Sequence, residues 1–205
     1  MRTRKKKHGE ERLEAVSDLF LDEKPEKLEG IYLEIGCGKG NFIVGNALKY
    51  PERRYVAVER VRDVVMLAAE KVKANGLTNV RFINCDAKEL CERLGECTAE
   101  VIYLNFSDPW PKARHYKRRL TYRDFLAEYA KLLCPGGKVC FKTDNAGLFE
   151  FSLSEFAEAG WKVDRVTYDL HNSEYAADNI MTEYEKNFSE KGMKIHRLEA
   201  YPPEK

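Results

Sequence analysis

A chain of 205 residues with a formal net charge of +1 and a mean hydropathy of −0.56 is sized for one domain with short extensions, which buries roughly 70% of its unfolded surface without covalent staples. No apolar run approaches the ~20 residues of a membrane-spanning helix, and the basic start Met1–Lys7 leads into no apolar h-region, so the expectation is a cytoplasmic protein with no membrane association and no secretory signal. The six cysteines, at 37, 85, 91, 97, 134 and 140, show no C-x-x-C spacing; free thiols are expected, with no disulfide and no metal.

In chain order, residues 1–30 read as a basic N-terminal arm followed by an amphipathic helix around Leu13–Leu21. Ile31–Ile35 is an apolar strand, then a Gly-rich turn and a helix from about Gly40 to Lys49. Tyr55–Val58 is the second strand. Val61, Val64, Val65, Ala68 and Val72 recur at helical spacing up to Asn75-Gly76. Val80–Ile83 is the third strand, Ala87–Leu94 a short helix, and Val101–Asn105 the fourth strand. Thr121–Leu133 is a helix stopped by Cys134-Pro135-Gly136-Gly137. Lys138–Lys142 is the fifth strand and Ala146–Ala159 a helix closed by Gly160. Two last strands, Lys162–Leu170 and Met193–Glu199, flank a short helix beginning near Thr182.

Strands alternating with helices predict an α/β fold: a Rossmann-like, doubly wound, mostly parallel seven-stranded sheet with helices on both faces and the last strand antiparallel, occupying 31–205. Ligands of such sheets bind beyond the carboxyl ends of the strands. The residues placed there include Glu34–Gly40, Glu59, Asp86, Asn105–Pro111 and Thr143–Asn145. Almost every strand end carries an acid.

Gly36, Gly38 and Gly40 lie between the first strand and its helix, where glycine lets the backbone turn sharply and approach a ligand. A dinucleotide fingerprint starting at Gly36 needs glycine at 41, and Asn41 stands there. Glu34 beside the turn would also repel a pyrophosphate. S-adenosylmethionine is cationic at both its ammonium and its sulfonium, and suits this set better. Glu59 suits the ribose hydroxyls; Asp86 suits the adenine amine, with the Ala87 N–H available to a ring nitrogen. Singly, each acid reads more readily as a solvated turn residue; three of them in this order favour the cofactor.

The run Asn105–Tyr122, NFSDPWPKARHYKRRLTY, is harder to read as a turn. Asp108-Pro109-Trp110 partly resembles the Asp-Pro-Pro-Tyr motif of methyltransferases acting on amines of DNA bases, but lacks the second proline. Trp110 offers a flat surface for stacking, or equally caps the sheet. Lys112, Arg114, His115, Lys117, Arg118 and Arg119 would repel one another without a phosphate partner. A second basic run, Arg2–Lys7, points the same way.

The segments YLNFSDPWPKARHYKRRLTY, FKTDNAGLF, DLHNS and NIMTEYEKNF, with LEIGCGKGNF and VAVER, resemble the bacterial tRNA (guanine-N7)-methyltransferase family from about Ile31 to Phe188. The resemblance implies S-adenosylmethionine as methyl donor, no metal, and a guanine of the tRNA variable loop, usually position 46, as acceptor. It implies tRNA as partner; no obligate protein partner is expected, and monomer and homodimer both stay open. By position it matches Glu34, Glu59, Asp86 and Asp108 to the cofactor acids, with Asp108 also the catalytic residue; Gly36, Gly38, Gly40, Ala87 and Asn105 complete the cofactor set. Lys112, Asp144, Thr182, Glu183, Tyr184 and Glu185 match guanine-binding positions. Arg114, His115, Tyr116, Lys117, Arg118 and Arg119 match an RNA-contacting loop. Two local alternatives stand beside this: Thr182-x-x-Glu185 is also a capping box, and Asp144 is also a candidate N-cap.

Overall fold

The computed structural model describes residues 9–23 and 25–204; the run Arg2–Lys7 lies outside them. Seven strands, β1 (Ile31–Ile35), β2 (Arg54–Val58), β3 (Val80–Ile83), β4 (Ala99–Asn105), β5 (Leu133–Thr143), β6 (Lys162–Thr167) and β7 (His196–Tyr201), form one sheet in the order β3-β2-β1-β4-β5-β7-β6. The pairs β1–β2, β2–β3, β1–β4 and β4–β5 are parallel; β7 runs antiparallel to both β5 and β6. This is the doubly wound sheet the alternating pattern predicts, with the last strand reversed.

The helices are α1 (Gly9–Glu14), α2 (Asn41–Lys49), α3 (Arg62–Ala74), α4 (Leu90–Leu94), α5 (Arg123–Leu132), α6 (Ala146–Glu158) and α7 (Glu183–Ser189). They pack on both faces because the central strands are apolar on both. One core joins Ile31, Leu33, Ile35 and Leu104 to residues of α4, α5 and α6, including Leu90, Leu126, Tyr129 and Phe149. The other joins Tyr55, Ala57 and Phe82 to Ile43, Ala47, Val65, Ala68 and Val72 of α2 and α3. Burial of this many large side chains, each contributing about 1.5–3 kcal/mol, fixes the carboxyl edge where the strand-end acids gather.

The sequence reading and the structure part company at several boundaries. The predicted helix Leu13–Leu21 is instead a short α1 followed by a 3₁₀ turn at Ser17–Leu19. This segment is no free arm: Val16 and Leu19 are buried in the second core, Arg12 makes a two-pronged ion pair with Glu70 of α3 (2.7 and 2.6 Å), and Leu21 N–H donates to Phe82 O at 2.9 Å. Cys134-Pro135-Gly136-Gly137 ends α5 but belongs to an irregular first half of β5, since Leu133 already pairs with Ala99; the register then slips before Val101 pairs with Lys138. β6 stops at Thr167, after Arg165 adopts a left-handed φ of 49° and the pairing with β7 shifts. The basic run folds as a 3₁₀ helix, Ala113–Arg118.

The six cysteines are free thiols, and Cys97 lies not with its evenly spaced neighbours but against Cys134, with the sulfurs 2.7 Å apart.

Candidate active site

β1 ends beneath a turn whose three glycines take left-handed φ angles of 80°, 55° and 79° at Gly36, Gly38 and Gly40. A Cβ on Gly36 or Gly38 would meet nothing within 4 Å, whereas one on Gly40 would lie 2.7 Å from the Ala68 Cβ. The first two therefore leave open space beside the backbone, and the third lets the start of α2 close on α3. Asn41, where a dinucleotide site needs glycine, bonds the Lys71 ammonium.

Two cavities flank this turn. The larger, about 510 Å³, is bounded by Gly36, Glu59, Asp86, Ala87, Ser107 and Asp108 among others. The smaller, about 320 Å³, is bounded by Glu34, Gly38, Gly40, Thr182, Glu183 and Tyr184 among others. Gly36, Asn105 and Phe106 line both. The cofactor residues expected from sequence thus fall together.

Glu34 is 2% exposed. Its Oε1 accepts from Asn105 Nδ2 at 3.0 Å, while Oε2 is buried without a hydrogen-bond partner. Burial pushes its carboxyl up to about 7, against the opposing pull of the Asn105 hydrogen bond and the Lys142 ammonium. Glu59 is oriented by the N–H groups of Gly38 (3.2 Å) and Val61 (2.9 Å). Asp86 caps its short helix through the Lys88 N–H at 3.2 Å, and its own N–H donates to Glu89 Oε1 at 3.2 Å. Asp108 is exposed on the rim, and among the described residues no hydrogen bond or ion pair occupies its carboxylate. Sequence reasoning passed over Ser107, whose buried Oγ lacks a partner on the larger cavity. It also passed over Phe106; its left-handed φ of 52° is rare for a bulky residue and has no signature in sequence.

The substrate residues divide. Thr182, Glu183 and Tyr184 reach the smaller cavity, and Glu183 pairs with Lys39 of the Gly-rich turn at 3.1 Å. Asp144 lines neither cavity, but its charge reaches Tyr184, whose phenol is raised by burial and then by that charge. Asn145, not Asp144, caps α6, its Oδ1 accepting from the Leu148 N–H at 2.7 Å; the N-cap alternative for Asp144 is thereby removed. Lys112, Arg114, Tyr116, Lys117 and Arg118 are exposed, His115 half-buried. Arg118 lies over the Trp110 ring (4.9 Å) and His115 against its edge (5.8 Å).

Two expected substrate contacts are engaged elsewhere. Arg119 donates to the carbonyls of Pro109 (2.9 Å) and Trp110 (3.3 Å), so it fastens the Asp-Pro-Trp turn. Glu185 is fully buried. Its Oε2 accepts from Lys142 Nζ at 2.7 Å and from the Thr182 N–H at 3.4 Å; Oε1 accepts from Asn179 Nδ2 at 2.6 Å and lies 3.1 Å from His171 Nε2. Lys142 completes its three donations with Asn179 Oδ1 (2.9 Å) and Ile180 O (3.0 Å). The capping box is real, since Thr182 Oγ1 accepts from the Glu185 N–H at 2.8 Å. Glu185 therefore anchors the segment and presents no oxygen to a base.

A family model described as "Putative methyltransferase" matches residues 29–198. A tRNA (guanine-N(7)-)-methyltransferase of Brevibacillus brevis is 48% identical over 83% of this chain and 79% of its own length; one from Streptococcus uberis is 42% identical over 98% and 100%. The chain belongs to the tRNA (guanine-N7)-methyltransferase family. In fold, this methyltransferase is similar to an antibiotic-related methyltransferase (TM-score 0.61, 20% identity, 97% of this chain and 95% of that one) and to an S-adenosylmethionine-dependent methyltransferase from Aquifex aeolicus (0.58, 17%, 94% and 88%).

S-adenosylmethionine fits the residues present. The unpartnered buried Glu34 oxygen asks for a cation, and the open space at Gly36 and Gly38 admits a ligand against the backbone. Among the described residues no group of His, Cys, Asp and Glu is arranged to hold a metal ion.

Two expectations follow for this methyltransferase. A cationic ligand beside Glu34 favours its ionised form, so below the raised value the proton must leave first. Lys142 and Glu59 are the charged groups that face it. Affinity for S-adenosylmethionine should rise about tenfold from pH 6 to pH 8 and level off above, with proton release detected by calorimetry in buffers of different ionisation enthalpy. Glu34→Gln should abolish that slope. Separately, Lys142→Met leaves Glu185 buried without its cation and should cost about 3–5 kcal/mol in denaturant unfolding. The double variant Lys142→Met/Glu185→Met should recover most of that loss.

Proposed function

We propose that the chain transfers a methyl group from S-adenosylmethionine to N7 of a guanine in tRNA, at position 46 of the variable loop. The observation that carries this reading is the junction of the two cavities. An acid-lined space for a cationic donor opens there onto Glu183 and Tyr184, and Arg118, of the exposed basic run Lys112–Arg118, lines the larger cavity.

The bound cofactor supplies a methyl group on a positively charged sulfur. The chain's own residues bind, orient and shield. Glu34 and Glu59 meet the donor's positive and hydroxyl groups, and Asp86 with the Ala87 N–H meets its base. Guanine N7 carries an in-plane lone pair and no proton, so no general base is needed to unmask it. What remains is alignment of nucleophile and methyl, and positioning of this kind contributes about 7–11 kcal/mol. The methylated ring is cationic, so Asp108 and Glu183 stabilise the charge that develops on it. Carboxylates also accept from the guanine N1–H and amino group, an edge adenine does not present. Arg114, Lys117 and Arg118 bind phosphates, which orient the RNA without reading its sequence. Trp110 holds Arg118 and His115 in place.

The direct test is incubation of bulk tRNA with labelled S-adenosylmethionine, followed by reduction and aniline cleavage at 7-methylguanosine. Cleavage at position 46 is expected; label elsewhere, or none, refutes the reading. Asp108→Ala should keep its fold while losing turnover by about a hundredfold or more. Neutralising Arg114, Lys117 and Arg118 together should weaken tRNA binding and flatten its dependence on log salt by ~0.7–0.9 per contact removed.

A further inference from the structure

Phe106 sits where the two cavities meet. It lines both, follows β4 directly, and holds a left-handed φ of 52° while its N–H donates to Lys142 O at 2.9 Å. An aromatic residue in that region is strained, at a cost of order 1–2 kcal/mol, and glycine would relieve it. The position nevertheless carries a large ring. That ring is the inner rung of a ladder: Phe106 to Tyr184 at 5.2 Å and 41°, then Tyr184 to Phe188 at 4.2 Å and 21°. Tyr184 remains 44% exposed. The ladder joins β4 to α7 across the mouth of the smaller cavity, beside Glu183.

The acids nearby, Glu183 on the smaller cavity and Asp108 on the larger, are suited to the edge of a purine and to its developing charge. Neither of them can hold its face. A flat base presented edge-on to a reactive methyl also needs a surface parallel to its ring, or it tips out of line. Base–aromatic stacking supplies that surface, and Phe106, braced by Tyr184, is the aromatic residue that both cavity linings share.

We infer that Phe106 is a substrate-contacting residue: with Tyr184 it forms the stacking platform that holds the target guanine over the methyl donor. The inference rests on the guanine reading above and assigns a role to a residue chosen by its place in the structure, not by any motif.

The test compares Phe106→Leu, which keeps bulk without a π-face, with Phe106→Tyr, which keeps the ring. Three quantities are measured beside the parent: affinity for S-adenosylhomocysteine and for S-adenosylmethionine by calorimetry, affinity of the S-adenosylhomocysteine-bound protein for tRNA, and kcat/KM on tRNA. Phe106→Leu should bind both cofactor forms as the parent does, bind tRNA more weakly, and lose about tenfold or more in kcat/KM. Phe106→Tyr should restore both tRNA terms. Unchanged tRNA terms in Phe106→Leu overturn the inference. So does weaker binding of S-adenosylmethionine alone, which would make the ring a partner of the sulfonium, or of both cofactor forms, which would make it cavity wall. If the parent binds tRNA but transfers no methyl to guanine, the function proposed above fails instead, and the tRNA affinities still report on the platform.

Discussion

Glu34 is a carboxyl group taken out of water at the end of the central strand, with one oxygen held by Asn105 and the other left without a partner. Left so, it is costly, because a buried polar atom without a hydrogen bond forfeits its hydration. The fold tolerates it because β1 lies inside the sheet, between β2 and β4, and the side chain meets the outside through the smaller cavity it lines. The proton it retains near neutrality lowers that cost in the free protein. A cation arriving in the cavity replaces the proton and recovers the lost interaction. The carboxyl edge is arranged around this acid: glycines that leave room, Glu59 fixed by two backbone N–H groups, and a lysine two strands away on β5.

That lysine ties Glu34 to the segment that carries Glu183 and Tyr184. Lys142 feels Glu34 and binds Glu185, and desolvation lowers its ammonium while both carboxylates raise it. All three of its hydrogen bonds go to the segment 179–185. Glu183 and Tyr184 are thus held over the smaller cavity by a buried network rather than by α7 alone, which is only seven residues long. A helix that short has little stability of its own; its capping box and the Lys142–Glu185 pair supply the order.

Much of this was legible in the sequence. The apolar strands Ile31–Ile35 and Val80–Ile83 match the structure to the residue, because their pattern is set by burial on both faces. The acids at strand ends fall together because a parallel sheet puts every such end on one edge. What sequence could not give was the engagement of individual side chains. Arg119 and Glu185 carry the residue types of a substrate contact, yet fasten a turn and a loop, since the partners that claim them are remote carbonyls and a lysine 43 positions away. Asp144 and Asn145 are both competent caps, and only geometry chose Asn145. Phe106 escaped notice because the feature that marks it is a backbone angle.

The reversed strand β7 has a consequence of its own. A parallel crossover must climb the sheet face and return, so its path is constrained. The link from β6 to its antiparallel neighbour begins and ends on the same edge, so its length is free. Residues 168–195 use that freedom and lie where the methyl donor is expected, carrying Thr182, Glu183 and Tyr184 with them. The wall of the smaller cavity that Thr182, Glu183 and Tyr184 supply is therefore a detour in a hairpin, which could be lengthened, shortened or exchanged without re-registering a single strand beneath it.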